Sequence, residues 1–256
     1  MAAVAGMRTV ATTVGKAATG KVAAADKAVP EVYELRTYAI QPAHFPAFMK
    51  LTGEKIGLRT AVSPLLMYGA TEIGGANEVV HLWKYPSLAE RQGVRVALAG
   101  AAEWNADYMD VMRPMLAGQT NLTLSPPGWA GPTAEPVAGE PAGAVYELRI
   151  RSLQCGMADA WSELLREALP SHPAGDALWA NLMATVGPHG ESAAVEIWRF
   201  DSFEARDDVL ACLGQPGVMP PSDEATAWHN AMEDSFLYVE HEATKLILPA
   251  PFSPSQ

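Results

Sequence analysis

The stretch VYELRTYAI (32–40) decides the fold, because VYELRIRSL (145–153) repeats its first five letters 113 residues later. Both stretches are rich in β-branched and aromatic residues and read as strands, the first closed by Pro42. The surroundings repeat as well. AFMKLTGEKIGLRTA (47–61) places Phe48, Leu51, Ile56 and Leu58 at mostly helical spacing, until Pro64 stops it. LLMYGATEI (65–73) and EVVHLWKY (78–85) flank Gly74-Gly75 and Asn77, which predicts a hairpin. Ser87 stands three residues before Glu90, a capping box that opens a helix. AEWNADYMDVMRPML (102–116) predicts a further helical piece and QTNLTLS (119–125) a last strand. In the second part AVEIWRFDSFEAR (194–206) matches VVHLWKYPSLAER (79–91), and the helix around Trp228 matches the one around Trp104. The offset drifts from 113 to 115 and then 124, so chemistry kept through the drift indicates duplication.

A βαββ-α-β unit predicts a four-stranded antiparallel sheet with helices on one face, the ferredoxin-like arrangement of an α+β fold. Its other face is bare, and two tandem modules packed sheet against sheet would cover each other. The predicted organisation is a first module over 31–124, a Pro/Gly/Ala linker over 125–143 and a second, diverged module over 144–250.

Composition narrows the classes. Asp and Glu outnumber Lys and Arg 29 to 18, a net charge of −11, which argues against a nucleic-acid partner. No apolar run is long enough for a transmembrane helix. Cys155 and Cys212 match no zinc or CxxC spacing and are expected to be buried as small apolar residues of a reducing compartment. Residues 1–30 differ in kind: Arg8, Lys16, Lys21 and Lys27 face a single acid, Asp26, in an Ala- and Thr-rich segment. That composition reads as a mitochondrial transit peptide, with a disordered alanine-rich tail and a cytoplasmic protein as the alternative.

Period-two alternation divides the strands between two faces. Tyr33, Leu35, Val80 and Leu82, with Tyr146, Leu148, Val195 and Ile197, form the more aliphatic side and are expected to meet the helices. The inter-sheet space would then be lined by Glu34, Arg36, Tyr38, His81 and Trp83 from one half, and by Glu147, Arg149, Arg151, Glu196 and Trp198 from the other. Apolar walls with a few fixed polar groups suit a small-molecule pocket, and a His among carboxylates suits acid–base work. The alternative is that these Glu and Arg residues satisfy one another as cross-strand ion pairs. A cavity reached by His81 would favour the pocket, and full pairing without a void would exclude it. Other chemistry finds no support: no metal spacing among the six histidines, no phosphate loop and no nucleophile elbow, so no metal, cofactor or catalytic residue is assigned. Trp104, Trp161 and Trp228 fall on helical patterns and are expected in the core.

YELRTYAIQP, the run from Glu54 to Arg95 with HLWKYPSLAER inside it, and the following Trp and Pro together resemble the NIPSNAP family, closely over 32–124 and more loosely over 145–248. The resemblance implies the dimeric α/β-barrel type of ferredoxin-like pair, a mitochondrial location and work through protein partners, in vesicle transport or as a quality-control adaptor. It brings no catalytic residues, so an enzyme is the lesser expectation. A cofactor-independent enzyme or small-molecule binder remains the alternative, and a homodimer is open. Arg59 and Thr60, in the LRT segment, have no clear counterpart in the second part.

Overall fold

Strand β1 (Val32–Ile40) lies at the centre of the first half, antiparallel to β3 (Glu78–Tyr85) on one side and β4 (Leu116–Ser125) on the other, with β2 (Leu65–Ile73) beyond β3. The hairpin turn uses Gly74 and Asn77 at φ of 88° and 53°, a region that glycine enters freely and asparagine tolerates. Residues 31–132, 143–186, 192–214 and 222–254 are described by this computed structural model. Residues 1–30, where the transit segment is expected, lie outside them, as does most of the expected linker. The second half repeats the arrangement. β5 (Val145–Leu153) runs between β7 (Ala193–Phe200) and β8 (Val239–Pro249), with β6 (Leu178–Val186) beyond β7.

The two sheets are not stacked face to face as expected. They join at their edges into one closed barrel, in the order β1-β3-β2-β8-β5-β7-β6-β4. One seam pairs Ala70 with Leu248 and Thr71 with Ile247, and the other pairs Leu124 with Ala184 and Ser125 with Met183. Stacking would have left four strand edges with unpaired backbone groups, and closure pairs them.

Closure also reverses the expected faces. The aliphatic set points inward: Tyr33, Leu35, Val80 and Leu82 pack against Tyr146, Leu148, Val195 and Ile197 in one core that draws on both halves. A sealed interior takes no charge without a partner, so the residues able to fill it dry are the aliphatic and tyrosyl ones. The polar set, Glu34 to Trp83 and Glu147 to Trp198, therefore lies outside the barrel, under helices. In the first half these are α1 (Phe45–Thr60), α2 (Leu88–Gly100) and a stretch formed by α3 (Ala102–Trp104), a π-helical turn (Asn105–Met109) and α4 (Asp110–Met112). In the second they are α5 (Ala158–Ala168), α6 (Phe203–Leu213) and α7 (Asp223–Asp234). Ser87 and Ser202 cap α2 and α6, each Oγ accepting the backbone N–H three residues on at 3.1 Å. Trp161 and Trp228 are buried in the second helical layer, whereas Trp104 is only partly buried. Cys155 and Cys212 are free and exposed, contrary to expectation, Cys155 in the turn between β5 and α5 and Cys212 in the last turn of α6.

The seam can be tested at Gly69 in β2. A β-carbon there would lie 2.4 Å from Ile247 Cγ2 and 2.6 Å from the Leu248 carbonyl oxygen of β8, whereas one at Gly118 would meet nothing. Gly69→Ala is expected to destabilise the protein by about 1–3 kcal/mol and Gly118→Ala by nothing measurable, read by denaturant unfolding. Equal midpoints for the two variants would disprove the closed seam.

Candidate functional site

Each half carries the same buried clamp. Glu34 is fully buried and accepts from Arg36 on its own strand at 3.2 Å, from Arg91 on α2 at 2.6 Å and from Asn121 on β4 at 3.1 Å. Glu147 likewise holds Arg149 and, at 2.5 Å, Arg206 of α6. Arg91 and Arg206 stand four residues after Ser87 and Ser202, so one short motif caps the helix and ties its first turn to the sheet. Burial alone would push the Glu34 carboxyl up, but the Arg91 hydrogen bond and the charges of Arg36 and Arg91 outweigh it and hold it below its ordinary value. Glu147 is held low in the same way, burial being outweighed by Arg149 and Arg206.

Beyond the clamp the halves diverge. In the first, a cavity of about 330 Å³ opens between the sheet and the helices, bounded by Arg36, Tyr38, Tyr68, His81 and Trp83 from the strands and by Arg59, Trp104, Asn105 and Tyr108 from the helices. His81 is 4% exposed, stacked on Tyr68 (centroids 5.0 Å apart, 14° between planes) and met edge-on by Tyr38 at 4.8 Å. The Trp83 indole N–H donates to His81 Nδ1, which fixes the neutral tautomer with its proton on Nε2. That Nε2 is buried and has no hydrogen-bond partner. Burial, then the charges of Arg36 and Arg59, pushes the imidazole well below its usual range. The expected histidine among carboxylates is therefore a neutral hydrogen-bond donor among arginines and aromatic rings. Its Nδ1 is occupied, so it is no base.

Helical irregularity shapes the roof. The π turn carries Asn105, Tyr108 and Met109 to the cavity, and Asn105 Nδ2 donates to the carbonyls of Ala99 at 3.0 Å and Ala101 at 2.8 Å at the end of α2. Tyr108 is pinned to Thr52 of α1 by a 3.1 Å hydroxyl contact.

In the second half the strand registers place Arg151, Asn181, Glu196 and Glu242 where the first has Tyr38, Tyr68, His81 and Gln119. Arg151 pairs with both Glu196 and Glu242, and Trp198 donates to Glu196 at 3.1 Å. Charge pairs occupy the space that is open in the first half, with Trp161 over the Arg151 guanidinium. The residues expected in one inter-sheet pocket are thus split: Arg36, Tyr38, His81 and Trp83 border the cavity, and Glu34 lies beside it in the clamp. Glu147, Arg149, Arg151, Glu196 and Trp198 form a separate layer on the far side of the barrel. Sequence reasoning missed Tyr68, Arg59, Arg91, Trp104, Asn105 and Tyr108 as site residues. The shared Ser-x-x-x-Arg spacing signalled Arg91, but no sequence signal announces the π turn. Among the described residues, no group of three or more His, Cys, Asp and Glu is placed to hold a metal.

The shifted groups set an acid response in two stages. Above pH about 6.5 His81 is neutral folded or unfolded; below it the unfolded chain takes up a proton that the folded chain refuses, so stability falls as pH falls. His172 behaves alike, pushed down to about 4 by burial and Arg149. The clamp carboxylates add stability above an ordinary pKa of about 4.3, lost only as pH drops through their lower folded values. His81→Gln, which keeps an acceptor for Trp83, is expected to remove roughly half of the slope between about pH 6 and pH 5, a slope of at most about 1.4 kcal/mol per unit for each histidine. Unfolding free energies across that range check it, and an unchanged slope would mean that His81 is protonated in the folded protein.

The NIPSNAP family model matches residues 33–130. Human NipSnap homolog 3B is 31% identical over 234 residues, covering 87% of this chain and 85% of its own, and the Dictyostelium discoideum NipSnap homolog is 28% identical over 183 residues, 69% of this chain and 72% of its own. A solved structure from Fusobacterium nucleatum superposes with a TM-score of 0.62 over 87% of this chain and 93% of its own at 4% identity, and one of an anthrone oxidase-like protein with 0.56 over 86% and 91% at 12%. At such identities these two show the shared dimeric α/β-barrel fold alone. With a relative of this similarity along nearly its whole length, and a family model matching the half that carries the cavity, the chain belongs to the NIPSNAP family.

Proposed function

We propose that the protein binds a small molecule in the sheet–helix cavity of its first half. The observation that carries this reading is the buried Nε2–H of His81, unpartnered and bordering a space of about 330 Å³. An unpaired buried donor costs about 1–3 kcal/mol, which a ligand oxygen would offset. The Glu34–Arg36 and Glu147–Arg149 pairs form as well, so ion pairing and a pocket coexist on adjacent parts of one face. Because His81 Nδ1 is already engaged, the geometry supports binding rather than proton abstraction by this residue. Native mass spectrometry of the protein, purified with its own cell's small molecules, should show a discrete adduct. His81→Phe and Met109→Trp, one removing the donor and the other filling the space, should both lose it. A bare mass on the wild type would overturn this reading.

A second reading follows from the family resemblance, work through protein partners at mitochondria, with each half a ferredoxin-like unit of duplicated origin. Phe236 and Leu237, side by side between α7 and β8, are 76% and 67% exposed and support a contact surface of that kind. No helix among the described residues is long and apolar enough to cross a membrane. A fluorescent protein fused behind residues 1–30 should enter mitochondria; diffuse signal would remove the mitochondrial part.

A further inference from the structure

We propose that the ligand is an organic anion, an aromatic carboxylate whose charge is met by arginines at the first-half cavity and whose ring lies among its aromatic side chains. This inference rests on the cavity-binding reading and names the class of molecule bound.

In the first half's sheet–helix layer the guanidiniums of Arg36 and Arg91 share the Glu34 carboxylate, and Arg59 lies in the same layer without an ion-pair partner among the described residues, three positive charges against one negative. Arg59 is 9% exposed and its partners are all neutral: its guanidinium donates to Ser63 Oγ and the Tyr85 hydroxyl, and stacks 4.4 Å from the Trp83 ring centroid. The corresponding layer of the second half is balanced. Arg149, Arg151 and Arg206 there meet Glu147, Glu196 and Glu242, three against three. The difference arises at two register positions, where His81 and Gln119 of the first half are replaced by Glu196 and Glu242.

Positive charge left unbalanced in a layer shielded from water is costly, and in a protein of net charge −11 it is the less expected sign. It coincides with the half in which a cavity opens between the sheet and the helices. Among the side chains that border the cavity are four arginines, Arg36, Arg59, Arg95 and Arg113, and no Asp or Glu. Arg95 and Arg113 are exposed; Arg113 pairs with Asp110 at 3.4 Å, so Arg95 is the charge that an entering anion would meet first. A carboxylate suits this set, since arginine binds it with paired, charge-assisted hydrogen bonds, and the neutral His81 Nε2–H adds a donor without competing for a proton. The rest of the molecule is indicated by the walls. Tyr38, Tyr68 and His81 rise from the strands, while Trp104 and Tyr108 lie against each other, centroids 4.7 Å apart and planes tilted by 34°, on the helical side. Flat rings placed this way favour a flat partner.

The test compares 1-hydroxy-2-naphthoate with its neutral amide, 1-hydroxy-2-naphthamide, by calorimetry and by tryptophan quenching at Trp104. The anion should bind at least about tenfold more tightly than the amide, as charge-assisted bonds are worth about 1.5–3 kcal/mol. Its affinity should fall with added salt. Arg95→Gln, exposed and outside the clamp, should weaken the anion several-fold and leave the amide unchanged, whereas Arg59→Gln, which risks the fold, is read only beside its circular dichroism spectrum. Equal affinity for both compounds overturns the anion and keeps the cavity reading. Binding of neither overturns the inference, and if the native mass is also bare, the cavity reading falls with it.

Discussion

A charged carboxyl group buried in the middle of a strand governs this structure. Glu34 and Glu147 are out of reach of water, and each stays ionised because arginines reach it from its own strand and from the first turn of a helix. Removing one partner of such a set costs about 3–5 kcal/mol, because the remaining charge stays buried. The clamp therefore fixes where α2 and α6 sit on their sheets. It also answers why Glu and Arg recur in the repeated strand, since the recurring pair is the sheet's half of a joint whose other half is the Arg after each serine cap.

Given the clamps, closure of the barrel follows from the residues left on the opposite face. The inward side chains along the middle of the strands are apolar, mostly aliphatic with Tyr33, Tyr146 and Trp179, and they fill one dry core shared by both halves. Neither half could bury that face alone. Edge pairing at the β2–β8 and β4–β6 seams then leaves no strand with an open flank.

The ends of β1, β2, β3 and β5, the hairpin, the Ser87 cap and the division of β1, β3 and their repeats into two faces were legible in the sequence, because they depend on local spacing. Which face points inward was not. Alternation distinguishes two sides only when one is wet, and here both are covered, one by the opposite half and the other by helices. Charge content decides the matter, since a helical layer has gaps through which arginine heads reach the surface and a closed barrel has none. Tyr68 was hidden for a related reason: β2 reads as apolar on both faces, so alternation marked no polar position there. The π turn at Asn105–Met109 escaped for another, since its extra residue changes no hydrophobic spacing that a sequence scan registers.

The same clamp allowed the two helical layers to part company. Because Glu34 and Glu147 already secure the first turn of α2 and α6, the positions farther along the strands are not needed for docking. In the second half they are Arg151, Glu196 and Glu242, charges that pair with one another and fill the layer, although Asn181 beside them has neither side-chain polar atom hydrogen-bonded. In the first they are Tyr38, His81 and Gln119, which leave a donor unsatisfied and a space beside it. Asn105 holds the helices over that space by binding the end of α2, so the opening is braced by hydrogen bonds of its own. The paired charges thus fill the second half's layer, while the first half's layer keeps the cavity between sheet and helices.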